Sequence, residues 1–542
     1  MGKKTNTTDN FELADALRGH TKDILFLSAT PHQGNSFQFW SLIQLLNDQL
    51  FPAPEAMERH RQLLSRVMIR RTRREVTDAE GLPIFRRRQV LTQPFKLSPR
   101  EMHFYEQLSD YLREGYSAAG VGQKRTTSQQ RAIGFVMTTF QKIMSSSPRA
   151  IRQALRRRLF VLLMRKTLES EERRRRSDFR AGETDSPLAE KIMKLQDEMR
   201  TLAGDILGEG SNQPQESEIE AYVGRVRRKL LKKLEDSEES TSWSLEGDEE
   251  SEEGVYAEAD IPDEINKVRE LIRLVPSGTD RRFETLVRAI SDLLRQSPRE
   301  RFVIFTQYRE TLEFLKDELG KIFGTSKITD IKGAPLDEKI AAVEEFWKED
   351  GAQFLISTSA GGEGINLQIA SILFNYDLPW NPMAIEQRIG RIHRYGQRET
   401  VQVYNLVAED TVEEKIYDIV QRKLADIART IGKLDEQGNP SEDFESDILG
   451  FLGSRPDYQE LFKRALMDKD YRRTEEEIQK MIEDARRAHE ALEELAQDLS
   501  GFNLEHFRRL EGRYTLPELG EWAQAAILKF GGSAIPAGEF IT

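Results

Sequence analysis

QFLISTSAGGEGINLQ, residues 353–368, decides the fold. Its first half is a short apolar run that ends in hydroxyl residues. Glycines follow at 361, 362 and 364. An apolar run of this length bounded by a glycine bend predicts a buried strand at 353–359. The same grammar repeats on either side. RFVIF (301–305), SILFNYD (371–377) and VQVYNLV (401–407) read as further strands. Thr311 to Phe323, Leu336 to Lys348 and Pro382 to Ile392 carry helical spacing. Short apolar strands alternating with helices predict an α/β domain with a parallel sheet covered on both faces.

The whole chain has 542 residues, room for roughly three or four domains at about 150 residues each. Apolar residues make up 38%, too many for a wholly disordered chain. No apolar run approaches the ~18 residues of a membrane span. The lysines of MGKKTNTTDN lead into no apolar stretch, which argues against a secretory signal. A cytoplasmic location with no membrane partner is expected. The chain has no cysteine, which excludes disulfides, Cys-zinc sites and thiol nucleophiles. The formal net charge of -12 is local in origin. Glu235 to Glu264 holds fourteen acids and no Lys or Arg, so removing those charges turns -12 into +2. The tract has no helical apolar stripe and reads as a solvated linker. Arginines cluster at Arg66 to Arg74, Arg86 to Arg88, Arg156 to Arg158 and Arg173 to Arg176, and such clusters bind phosphates electrostatically.

Four regions follow. Residues 1–116 open with ILFLS at 24–28, read as a buried strand. A helix follows over Phe37 to Leu46, then a basic helix over 59–76 with Leu63, Leu64, Val67 and Met68 inward. Ser98-Pro99 with Glu101 caps a helix that runs to about Gly115. Residues 117–264 read as a helical, arginine-rich insertion ending in the acidic linker 235–264. Residues 265–435 hold the α/β domain, closed by a helix over Val412 to Ile431. Residues 436–542 read as a helical extension, with heptad-like spacing from Ile478 to Leu499.

Chemistry is expected where strands end, because ligands of open α/β sheets bind beyond the carboxyl edge. Gly361, Gly362 and Gly364 there would let backbone N–H groups approach phosphate or sugar oxygens. An ordinary strand-to-helix turn needs glycine as well. EQRIGRIHRYGQ (386–397) places Arg388, Arg391 and Arg394 three residues apart, close to one helix face, with Gln387 and Gln397 at the ends. A solvated basic face would tolerate lysine, whereas planar guanidinium forks suit bidentate phosphate recognition. DLPWNP (377–382) supplies a rigid bend before that helix, with Trp380 as a core candidate. LSATPHQG (27–34) places Ser28 and Thr30 at a strand end, where hydroxyls also serve as turn caps.

Together these segments resemble the SNF2 branch of superfamily 2 helicases, with a bacterial HepA/RapA or DISARM flavour. SATPHQG resembles motif III, VMIRRTRREV (67–76) the basic helix after it, and FTQY (305–308) motif IV. STSAGGEGINLQ (357–368) resembles motif V and QRIGRIHRYGQ (387–397) motif VI. QKIMSSSPRAIRQAL (141–155) is similar to text of the same group. The resemblance implies a RecA-like C-terminal lobe, a remnant of the first lobe, and an ATPase that moves on double-stranded DNA. It implies Arg391 and Arg394 as arginine fingers, with Arg388 a neighbouring phosphate or coupling residue. Gln387, Gly362, Glu363 and Gly364 would serve the nucleotide. Ser28, Thr30, Thr306, Gln307, Arg70 and Arg71 would contact DNA or couple to it. Defence-system or transcription-complex proteins are the implied partners.

A complete motor also needs a phosphate loop ending in GK[ST] and an Asp–Glu pair for magnesium. This sequence has no GK[ST], and its Asp–Glu pairs in DEIN, DEKI and DEQG follow no apolar strand. ATP is therefore expected to be shared with a first lobe supplied separately or lost by truncation, with Mg2+ held on that lobe and no metal site here. A non-catalytic DNA- or protein-binding remnant is the alternative. The acidic tract reads as a solubilising linker in preference to a DNA mimic.

Overall fold

In this computed structural model the described residues are 9–27, 36–68, 84–120, 128–181, 186–208, 214–235, 261–333, 335–358, 361–362, 364–431, 433–434, 438–453, 455–468, 470–493, 536–537 and 540–541. The chain divides into two compact units, 1–84 with 490–542, and 85–489.

In the first unit α1 (Asp9–Arg18), α2 (Ser36–Leu46), α3 (Pro54–Arg59) and a 3-10 turn (Arg61–Arg66) are short. Phe39, Ile43, Phe51, Met57 and Leu64 make its small core. The strand expected at 24–28 is absent over its described residues 24–27, where Leu25 and Leu27 are 82% and 88% exposed. No neighbouring strand is described there to satisfy its N–H and C=O groups. The basic helix expected over 59–76 is instead α3 followed by the 3-10 turn, and its remainder lies outside the described residues.

The second unit begins with β1 (Arg88–Phe95), α4 (Pro99–Ala118), α5 (Ser128–Met144), α6 (Pro148–Ala181), α7 (Ser186–Leu207), α8 (Glu216–Glu235), α9 (Glu264–Leu274) and α10 (Arg281–Gln296). The alternating part follows: β2 (Phe302–Thr306), α11 (Arg309–Phe323), β3 (Ile328–Ile331), α12 (Leu336–Trp347), β4 (Phe354–Thr358), β5 (Ile372–Asn375), α13 (Pro382–Ile392), β6 (Val401–Ala408) and α14 (Val412–Ile431). α15 (Glu442–Gly453), α16 (Pro456–Met467) and α17 (Arg472–Glu493) complete it. The strands pair in the order β1-β6-β5-β2-β4-β3, all parallel. Phe302, Ile304, Phe354 and Phe374 point to one apolar layer and Val303, Phe305, Leu355 and Leu373 to the other. Both faces are thus buried, as the continuous apolar runs require. β1 and β3 went unread in the sequence. β1 is an edge strand, mostly exposed, and its Pro94 is tolerated because the outer side of an edge has no ladder to break.

Residues read as an insertion pack, over their described part, into the same core as α14 to α17. α4 starts with the expected cap: the Glu101 N–H donates to Ser98 Oγ at 3.3 Å, and the Ser98 N–H to Glu101 Oε2 at 2.6 Å. Arg158 of α6 is fully buried and forks onto Glu264 of α9 at 2.8 and 3.0 Å, while Tyr111 of α4 donates to the same carboxylate at 2.7 Å. Two charges removed from water hold only because the geometry is bidentate and a third donor assists. No described helix is long and apolar enough to cross a membrane.

Replacing Arg158 by Met strands the Glu264 carboxylate and is expected to cost about 3–5 kcal/mol, read as a lower melting temperature. The buried carboxyl of Glu413 gives a second prediction. Its oxygens are sealed from water, and burial, opposed in part by a backbone N–H, the Arg282 charge and the Tyr105 hydroxyl, pushes its pKa up to about 7. A carboxyl raised in the fold binds protons that the unfolded chain releases, so stability falls as pH rises from about 4.5 to about 7, by about 3 kcal/mol. Glu413→Gln should flatten that slope in melting curves between pH 5 and 8.

Candidate functional site

β2, β4 and β5 end side by side, so the segments after them converge on one edge of the sheet. The segment after β4 is tied to the segment after α13. The Leu367 N–H donates to the Arg391 carbonyl at 3.0 Å. Gln397 Nε2 donates to the carbonyls of Gln368, Ala370 and Ile392 at 3.0, 2.9 and 3.1 Å. The glycine bend and the arginine segment thus form one piece.

The glycines differ in role. Gly362 is buried, and a Cβ there would stand 2.7 Å from Phe305 Cε1. Its N–H already donates to the Thr358 carbonyl at 2.9 Å, so it packs the bend instead of offering an amide to phosphate. Gly364 is exposed with φ +77°, a conformation that side chains disfavour. Glu363 lies outside the described residues.

The arginines differ too. α13 begins with Asn381 accepting the Met383 N–H at 2.9 Å and Pro382 in the first turn, and it stops at Ile392. Arg394 therefore lies beyond the helix, and the expected single helical face of three arginines is not formed. Three residues span about 300° of helix, so Arg391 is turned about 60° from Arg388. Arg388 is 3% exposed. It donates to Asn375 Oδ1 and the Asp377 carbonyl at 3.0 Å each, stands 3.8 Å from Asp377 Oδ1, and lies over the Phe305 ring. It is a buried tie, not a solvent-facing phosphate ligand. Arg391 and Arg394 are half-buried, and Gln387 is exposed. Arg394 has no ion-pair or side-chain hydrogen-bond partner among the described residues, and so keeps its fork available.

Asp377 organises the site, and its role was missed in the sequence. The carboxylate is fully buried. It accepts from Thr306 Oγ1 at 2.6 Å, the Gln307 N–H at 2.8 Å and Ser146 Oγ at 2.7 Å. Gln307 Nε2 donates to the Leu378 carbonyl at 3.1 Å. Thr306 and Gln307, expected to touch DNA or couple to it, are buried and committed to this carboxylate and its neighbour. The only signal was an acid closing an apolar strand in SILFNYD. Asn375 and Asn405 extend the network through a 2.8 Å side-chain bond between paired strands. From the other side Arg88 pairs with Glu386 at 2.7 Å, and Ser446 of α15 donates to the same carboxylate at 2.8 Å. Trp380 is core, stacked on Phe462 of α16 at 4.4 Å.

The arginine cluster at 156–158 is not an open phosphate surface. Arg156 pairs with Asp205, Arg157 with Glu310 and Arg158 with Glu264. Ser28, Thr30, Arg70 and Arg71 lie outside the described residues. No group of three His, Asp or Glu among the described residues could hold a metal ion.

Residues 283–396, from α10 to the end of the arginine segment, match the family described as helicase conserved C-terminal domain. The chain is 38% identical over 169 residues to an uncharacterized ATP-dependent helicase, YqhH, of Bacillus subtilis, covering 30% of this chain and 29% of that protein. It is 38% identical over 148 residues to a probable chromatin-remodeling complex ATPase chain of Oryza sativa subsp. japonica, covering 26% and 13%. The chain thus spans under a third of the curated relatives it matches. Among solved structures, the C-terminal part of the Fun30 ATPase domain aligns at TM-score 0.32 and 17% identity over 62% of this chain and 89% of that one.

Within the sheet domain, Asp377→Ala should cost about 3–5 kcal/mol, because it strands three donors and leaves Arg388 uncompensated. Asp377→Asn should cost clearly less, since its amide can still accept from Gln307 and donate to a rotated hydroxyl. Denaturant melts of the two variants test the order.

Proposed function

We propose that this chain supplies the second lobe of an SNF2-type, DNA-dependent ATPase that moves on or remodels double-stranded DNA. The observation that carries the reading is the junction of the glycine bend and the arginine segment at the sheet's carboxyl edge, with Gln387, Arg391 and Arg394 outside the core while Arg388 is inside it. Arg391 and Arg394 are the finger arginines, which touch the γ-phosphate and stabilise the charge spread over its oxygens during transfer. Arg388 is a positioning residue: it ties α13 to Asp377 and thereby to Thr306 and Gln307, which relay movement instead of touching DNA. Gln387 and Gly364 approach the nucleotide.

ATP is the substrate, and the donor set fits an anion. The phosphate loop and the carboxylates that hold Mg2+ belong to a first lobe, in this chain's longer form or in a separate subunit. Ser28, Thr30, Arg70 and Arg71 are the DNA-side residues of this reading. Protein partners are those of a DNA-processing assembly, in phage defence or around transcription.

Finger arginines stabilise nothing without a phosphoryl group to act on. The chain of this sequence alone should hydrolyse ATP negligibly with duplex DNA present, and clear turnover would refute the reading. Adding a first lobe with a phosphate loop should bring activity, and Arg391→Ala should lower it roughly 10³-fold. Arg391→Lys should be nearly as harmful, because an ammonium cannot reproduce the fork.

A further inference from the structure

α6 is 34 residues long, about 51 Å at 1.5 Å per residue. Its first half is buried in the core, α7 and α8 pack along it as a continuation of that core, and its far end is exposed, making a three-helix arm. Glu171 marks one level of this arm. It receives Arg227 of α8 at 2.6 and 3.3 Å and Gln196 of α7 at 3.5 Å. An apolar seam closes the arm from within: Phe160 meets Tyr222 at 5.2 Å, and Leu195, Met199, Val226 and Leu230 are buried.

The outside of the arm is basic. Arg173 to Arg176 follow Glu171 directly on α6, and between Ala221 and Leu234 α8 carries six cations and no acid. Of the nearby acids, Glu171 is matched by Arg227 and Glu172 by Arg176. Arg173, Arg175 and Arg228 are exposed and have no carboxylate partner among the described residues. Within about two turns of one level, cations from two helices thus stand in excess on a rigid support. A membrane surface would need an outward apolar face, and the arm's main apolar seam is turned inward. A partner with charge repeating every ~1.7 Å along its axis and no need of an apolar pocket is duplex nucleic acid.

We propose that the end of the α6–α8 arm is a DNA-backbone contact, separate from the sheet edge that carries Arg391. It concerns affinity for DNA alone, with no nucleotide required, and is independent of whether Arg391 acts on a phosphoryl group.

The test is binding of the full chain to a fluorescent 30-base-pair duplex of mixed sequence, from 50 to 300 mM salt. Replacing Arg173, Arg175 and Arg228 together by Gln should make the slope of log K against log[salt] shallower by about 2–3, and weaken binding near 0.1 M salt roughly 100-fold. Replacing the same three by Lys should keep the parental slope, because counterion release counts charge. As a control of equal charge, Arg295→Gln with Lys321→Gln and Lys348→Gln, each cation paired to a neighbouring acid, should leave the slope unchanged. Circular dichroism reports whether the helices persist, and if the triple Gln variant unfolds Arg175→Gln alone carries the test, with a slope shallower by about 1 expected and an unchanged slope overturning the proposal. Three results would overturn the proposal: an unchanged slope in the folded Gln variant, a lost slope in the Lys variant, or no duplex binding by the parent at 50 mM salt. Equal binding of polyglutamate and DNA by the parent, lost together in the Gln variant, would also overturn it, assigning the arm to acidic protein.

Discussion

One buried carboxylate holds the carboxyl edge of the sheet together. Asp377 is inaccessible to water and gathers the end of β2 through Thr306 and Gln307, the α5–α6 turn through Ser146, and α13 through Arg388. An isolated ionised carboxylate would pay heavily for such a position. Here three hydrogen bonds and a guanidinium meet it, and the cost of leaving any of them unmade makes the arrangement all-or-none. α13 cannot tilt or slide without disturbing the end of β2.

The helices around the sheet belong to that same construction. Ser146 and Ser147 both reach Thr311 at the start of α11. Trp380, at the bend before α13, lies between Phe462 of α16 and Lys142 of α5. Gly453 of α15 sits where a Cβ would strike Asn381 and Met383, so α15 approaches the start of α13 as closely as a backbone can. The arginine segment thus rests on the sheet from one side and on the C-terminal helices from the other. Residues read in the sequence as separate regions form one core, because neither the insertion nor the extension could bury its apolar stripe alone.

The alternating strands and helices from 301 to 431 were legible because a strand buried on both faces must be apolar throughout, and few other elements look like that. β1 was not legible, since an exposed edge carrying Gln89, Thr92 and Pro94 lacks that signature. The polar network was not legible for a different reason. Asn375, Asn405 and Asp377 are single polar letters in apolar runs, and whether such a letter faces a partner or solvent depends on strands distant in sequence. The arginines show the same limit. Arg158 and Arg173 stand in similar basic runs of one helix, yet one is sealed against Glu264 and the other is open to water. Composition counted both as phosphate binders, whereas the residues packed around α6 distinguish them.

That distinction also explains why α13 uses arginine in both its places. At Arg388 the side chain must meet a side-chain amide oxygen, a carbonyl and a carboxylate, and lie over Phe305, in one plane. Only a guanidinium offers several fixed donors with a flat face. In the function proposed for Arg391, the same planar fork would meet a phosphate from outside. Its backbone is fixed from behind by Leu367, and its helix by Arg388 one turn earlier. Burying the first arginine thus fixes the backbone that carries the second.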